Sequence, residues 1–102
     1  LGRAARGPSV RFDQEASATA TVVEVKAPDR PGLAWTIADT LARLGLDIRF
    51  AKIATAKALA LDVFYVTGAA GGKLDAGELA GVEGALLAAL GDRPTTKPKE
   101  DR

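Results

Sequence analysis

Hydrophobic and polar positions along the chain change period several times, and each change marks an element. In TATVVEVKA, Thr21, Val23, Val25 and Ala27 fall on one side of an extended chain and Val22, Glu24 and Lys26 on the other. That alternation predicts a strand. Pro28 and Pro31 then forbid further ladder pairing. From Leu33 onward the apolar positions are Leu33, Ile37, Leu41 and Leu44, one stripe of a helix predicted over about residues 32–44. Gly45 stands where a left-handed C-cap belongs. LDIRFAKIAT returns to the strand period, but its parity slips between Leu46, Ile48, Phe50 and Ala51, Ile53, Thr55. A bulge near Arg49 and Phe50 would let Ile48, Ala51 and Ile53 all face the core.

ALALDVFYVT predicts a second long strand, with Ala60, Phe64 and Val66 on one face and Leu61, Val63 and Tyr65 on the other. Both faces are apolar, so both are expected to be covered. Asp75 followed by Glu78 has the spacing of a capping box, opening a helix whose stripe is Leu79, Val82, Leu86 and Leu90. Gly77, Gly81 and Gly84 each cost that helix roughly 1 kcal/mol relative to Ala, so packing must hold it. Gly91 and Pro94 end it. Upstream, Val10 and Phe12 alternate with polar neighbours in PSVRFD, a short strand joined by the polar link QEASA.

The resulting order, strand, strand, helix, strand, strand, helix, is the split βαβ plan of ferredoxin-like α+β folds with one strand moved. In that plan a fourth strand lies antiparallel beside the first. Here PSVRFD would fill the slot from the N-terminal side, giving a permuted β-βαββα sandwich: a four-stranded antiparallel sheet with two helices on one face. The expected domain covers residues 9–91. Residues 1–8 read as a linker or a disordered end and 92–102 as a disordered tail.

Composition narrows the chemistry. Fourteen basic against thirteen acidic residues leave a net charge of +1, which supplies no field for nucleic acid or an anionic membrane. Cysteine and histidine are both absent, so thiolate and imidazole nucleophiles, bases and metal ligands are excluded. No catalytic residue, metal or cofactor is expected. No apolar run reaches the ~20 residues of a membrane span, and with no export signal visible the expected place is the cytoplasm. The chain contains no methionine and starts at Leu1, which reads as an internal piece of a longer protein.

The stretch with chemical promise is Asp29-Arg30-Pro31-Gly32-Leu33, directly before the first helix. Amide N–H groups at a helix start lack intrahelical acceptors and sit at the positive end of the dipole. Gly32 lets a ligand approach the backbone. An α-amino acid suits the place, its carboxylate on the N–H groups and its ammonium on Asp29. The same residues also serve as a plain turn in which Asp29 caps the helix, Pro31 presets its first turn and Arg30 is solvated. Composition leaves both readings open. Asp62, inside an apolar strand, reads as an edge or strand-end carboxylate with a backbone or Lys partner. Trp35, off the core stripe, is expected to line a pocket or an interface, with plain partial exposure as the commoner alternative.

DRPGLAWTIADTLARLGLDIRFAKIAT, followed by LDVFYVT and GGKL, resembles the ACT domain, a small ligand-sensing fold of the ferredoxin-like kind. The PSVRFDQEAS lead-in resembles the C-terminal ACT domain of bifunctional uridylyltransferase/uridylyl-removing enzymes, which modify the PII nitrogen-signalling protein. The resemblance implies a regulatory module that senses glutamine, with no chemistry of its own. It assigns the ligand loop to Asp29, Arg30, Pro31, Gly32 and Leu33, and a further contact from an adjoining domain to Asp47. An amide side chain is usual at that last position, so an Asp there departs from the pattern. The TAKALA turn likewise lacks the usual Gly or Asp. Pairing with an identical chain or another ACT domain is implied, and Leu61, Val63 and Tyr65 are the expected interface. The alternative is a ligand-free ACT module that serves only domain pairing.

Overall fold

A computed structural model describes residues 7–91. The elements in chain order are β1 (Ser9–Asp13), β2 (Thr21–Pro28), α1 (Leu33–Arg43), β3 (Asp47–Ala56), β4 (Leu59–Thr67) and α2 (Ala76–Leu90). The strands form one sheet in the order β1-β2-β4-β3, and every neighbouring pair is antiparallel. β1 therefore occupies the slot beside β2 that the permuted plan assigned to it. The predicted tails lie mostly outside the described residues.

β2 continues through Pro28, which pairs with Leu59 as the last residue of the ladder. Sheet pairing thus extends one residue past the expected stop, because a proline at a strand's end need not donate to the ladder. The turn at the other end of α1 is a Schellman arrangement: Gly45 N–H donates to Ala42 O and Leu46 N–H to Leu41 O, with Gly45 at φ 82°. α2 begins with both halves of a capping box, Glu78 N–H to Asp75 Oδ1 at 2.8 Å and Asp75 N–H to Glu78 Oε1 at 2.9 Å.

The core lies between the sheet and the two helices. Val23, Val25 and Ala27 of β2 and Ala60, Phe64 and Val66 of β4 meet Leu33, Ile37 and Leu41 of α1 and Val82, Leu86 and Leu90 of α2. The bulge is present, with the β3 register shifting between Ile48 and Phe50. It puts Ala51 and Ile53 in register with Phe64 and Asp62, on the helix side. Neither is buried: Ile53 is 52% exposed and Ala51 is exposed as well. β3 is an edge strand, and two helices do not reach across a four-stranded sheet to cover its outermost row. Nor is the other sheet face covered, since Leu61 is 37% exposed and Phe50 58%.

A side-chain network ties the β1–β2 link to the approach of α2. Thr21, fully buried, donates its hydroxyl to Gln14 Oε1 and accepts from Leu74 N–H, while Gln14 Nε2 donates to Leu74 O.

The β3–β4 turn carries strain. Lys57 (φ 54°) and Ala58 (φ 66°) both adopt left-handed backbone, the two central positions of a type I′ hairpin where Asn-Gly is favoured. Each L residue with a Cβ there costs about 1 kcal/mol. The double substitution Lys57→Asn, Ala58→Gly is expected to stabilise the domain by about 1–2 kcal/mol, read as a higher urea midpoint with unchanged m-value. A lower midpoint would contradict the turn geometry.

Candidate functional site

α1 starts without a side-chain cap. Its N-cap is Gly32, at φ 78°, and no side chain accepts from its first turn. Asp29 is thus not the cap that the plain-turn reading requires. Its backbone N–H instead donates to Ala58 O at 2.9 Å, which fastens the loop to the strained hairpin turn. Within the loop, Leu33 N–H reaches Arg30 O at 3.2 Å and Thr36 N–H reaches Gly32 O at 2.9 Å. Among the described residues, the N–H groups of Gly32, Ala34 and Trp35 have no hydrogen-bond acceptor, and they belong to the positive end of the helix.

A Cβ built on Gly32 would meet nothing within 4 Å. Glycine is required there by its positive φ rather than by crowding. Asp29, Arg30 and Leu33 line a cleft of about 370 Å³ between the start of α1 and the end of α2, with Ala27 and Leu90 as apolar lining. Asp29, Arg30, Pro31 and Gly32 are exposed, whereas Leu33 is 3% exposed and serves the core. Sequence reasoning did not find Ala58 or Leu90. Ala58 acts through its carbonyl, which no side-chain pattern reveals, and Leu90 was legible only as the end of a core stripe.

Asp47 lies at the opposite end of the sheet. Pro28 pairs with Leu59 at the start of β4, and Asp47 with Thr67 at its end, eight residues further on. At about 3.3 Å per residue that separates the two ends by roughly 26 Å, so Asp47 and the loop of one chain cannot hold the same small molecule. Asp47 is exposed and paired with Arg49 at 2.8 Å. Leu61, Val63 and Tyr65 share the uncovered face, where Tyr65 stands edge-on to Phe50 with ring centroids 5.5 Å apart. Trp35 is 68% exposed.

Asp62 is neither at an edge nor at a strand end. It sits mid-strand in β4, opposite Val25 and Ile53, and is only 2% exposed. Its Oδ1 accepts a long 3.4 Å bond from Ala54 N–H. Burial pushes its carboxyl above the usual carboxylate range; the Ala54 bond opposes this, and the nearby charge of Asp29 adds to it. A raised folded pKa means the folded chain holds the proton more tightly than the unfolded one. Stability from this group is therefore complete below the unfolded pKa and lost as pH rises through the folded value. Asp62→Asn is expected to flatten that decline and to raise stability at pH 7, measured by urea unfolding between pH 4 and 8. A steeper decline in the variant would contradict the burial argument.

Among the described residues no cluster of His, Cys, Asp or Glu is placed to hold a metal ion, and no helix is long and apolar enough to cross a membrane.

A family model described as the ACT domain matches residues 21–84. The chain belongs to the ACT domain family. This ACT domain is 47% identical over 94 residues to a protein of Phenylobacterium zucineum named bifunctional uridylyltransferase/uridylyl-removing enzyme, a match covering 88% of the chain and 10% of the relative. Proteins of the same name from Caulobacter vibrioides and Streptomyces coelicolor are 44% and 40% identical, over 89% and 81% of the chain and 10% of each relative. The ACT domain thus spans about a tenth of the length of these relatives. No solved structure matches it.

Proposed function

We propose that this ACT domain is a glutamine sensor of a bifunctional uridylyltransferase/uridylyl-removing enzyme acting on a PII protein, and that its site is completed by a second copy of the chain. The observation that carries the reading is the uncapped start of α1 at Gly32, three residues past Asp29; Asp29, Arg30 and Leu33 line the nearby apolar cleft, and Gly32 does not. A zwitterion fits that combination: carboxylate on the free N–H groups, ammonium on Asp29.

Asp47 enters from a neighbour. β3 is a ten-residue edge strand whose outer backbone groups are unpaired by the sheet, with exposed Ile53 and Ala51 beside it. If two copies pair antiparallel along β3 about a two-fold axis, the Asp47 end of one meets the Ala56 end of the other, next to the turn that holds Asp29. The carboxylate of Asp47 then faces the ligand's far end. It accepts hydrogen bonds from a side-chain amide N–H₂ and repels a side-chain carboxylate, which favours glutamine over glutamate. The whole enzyme would be regulated through this domain, in the cytoplasm, with glutamine reporting nitrogen status.

The direct test is the melting transition of the chain with and without glutamine, using glutamate as comparison and Gly32→Val as control. Gly32→Val should lose the ligand response while the oligomeric state is kept.

A second reading, a pairing module without ligand, is favoured by the apolar open face at Leu61, Val63, Tyr65 and Phe50. The two make opposite predictions in sedimentation. Ile53→Asp dissociates an edge-paired dimer and leaves a face-paired one, whereas Val63→Asp does the reverse.

A further inference from the structure

The β3 bulge brings two unlike side chains together on the sheet face that the helices leave open. In a regular strand Arg49 and Phe50 would point to opposite faces. Here the register passes from Ile48 opposite Val66 to Phe50 opposite Tyr65, and Arg49 between them has no ladder partner. A cation and an aromatic ring consecutive in the chain thereby line one cleft of about 630 Å³, which they share with Tyr65 and Thr67 of β4. Two loops wall it. The β1–β2 link contributes Ser17, whose hydroxyl oxygen accepts from the N–H groups of Thr19 and Ala20 and whose own proton is left to donate. The loop between β4 and α2, turned at Gly71 (φ 81°) and Gly72 (φ 99°), brings in Lys73, whose ammonium donates to Gln14 O.

We infer that this cleft is a second ligand site, one for a nucleotide, with the phosphate held by Arg49 and Lys73 and the base stacked on Phe50. The donors carry the argument. Among the described residues that line the cleft, the charged groups are these two cations, with no carboxylate beside them. Lys73 spends one donor on Gln14 O and Arg49 one on Asp47 at 2.8 Å, so each keeps several for an anion. The Arg49–Asp47 pair has side chains 60% and 64% exposed, and such a pair is too weak to withhold the guanidinium from a phosphate. Phe50 is 58% exposed, and Tyr65 meets it edge-on at 80°, which steadies the ring and leaves a face open. A flat base stacks on that face, and the Ser17 and Thr67 hydroxyls offer partners to the ribose. The volume lies within the ~300–1,000 Å³ of small-molecule sites. None of residues 29–33 lines this cleft, so the inference stands apart from the glutamine reading.

The test is titration of the ¹⁵N-labelled chain with UMP and AMP, and separately with uridine and inorganic phosphate, followed by amide chemical shifts at low and high salt. Expected are shifts concentrated on Arg49, Phe50, Tyr65, Thr67 and Lys73, and a Kd for the monophosphates at least about tenfold below that of either half, rising with salt. Phe50→Ala and Lys73→Gln, both at exposed positions, should each weaken UMP about tenfold. Phe50→Ala should leave inorganic phosphate binding unchanged, which a general disturbance of the fold would not. Absence of shifts with both monophosphates at millimolar concentration, or shifts that map outside the cleft, overturns the site. Inorganic phosphate binding as tightly as UMP overturns the nucleotide class. Either failure leaves the glutamine reading untouched, since that is read from the melting transition at the other end of the sheet.

Discussion

Phe64→Ala is expected to cost about 3–5 kcal/mol, a large share of the 5–15 kcal/mol that holds a domain of this size together. Phe64 is the largest of the fully buried side chains and is 2% exposed. It sits in the interior strand β4, opposite Val23 on β2 and Ala51 on β3. Its position in the sheet limits relaxation: strands on both sides fix the backbone, so the surroundings cannot collapse into the vacated volume. Urea unfolding followed by circular dichroism should show a midpoint lowered by about a fifth or more, with the m-value retained. A loss under about 1 kcal/mol would mean that the helix layer does not close over β4. Leu87 on the exposed side of α2 makes the comparison: it is 38% exposed, and Leu87→Ala should move the midpoint far less.

The second large effect is thermal. A ligand that binds only the folded chain adds RT ln(1 + [L]/Kd), about 2.7 kcal/mol at a concentration one hundred times Kd. For a domain of this length each kcal/mol moves Tm by about 4–8 °C, so saturating glutamine should raise Tm by at least about 10 °C. Glutamate, facing Asp47 with a second carboxylate, should raise it much less. In Gly32→Val the shift should vanish, because a β-branched residue is unfavourable at φ 78° and rebuilds the loop that presents the N–H groups. Trp35 is the sole tryptophan and stands two residues past Leu33, so its emission should follow the same titration. A melting curve indifferent to glutamine, glutamate and other amino acids would remove the sensing function and leave the pairing module.

The fold was legible because its signals were local and redundant. The Leu33, Ile37, Leu41 stripe, the Gly45 stop and the Asp75–Glu78 box each specify backbone by nearest neighbours, and the parity slip at Arg49 and Phe50 announced a bulge. What the pattern could not supply was position within the sheet. Alternation in β3 and β4 looks the same for edge and interior strands, so Ala51 and Ile53 read as core although no helix reaches them, and Asp62 read as peripheral although strands flank it on both sides. The candidate loop at Asp29–Leu33 was singled out by composition and resemblance together. Its attachment through the Ala58 carbonyl was invisible, since backbone acceptors carry no sequence signature. The distance between Asp47 and that loop is a property of topology alone, and it is what turns a list of site residues into a claim about two chains.

That claim has a direct test by complementation. Chains carrying Gly32→Val and Asp47→Ala should each fail to bind glutamine, one for want of the loop and the other for want of the far contact. Mixed in equal amounts and allowed to exchange, half of the dimers become heterodimers, each with one intact loop facing one intact Asp47. Calorimetry of the mixture should then recover binding at about one glutamine per four chains, with the affinity of the unsubstituted protein. No binding after exchange, with heterodimers verified by mass spectrometry, would show that each chain builds its site alone or builds none.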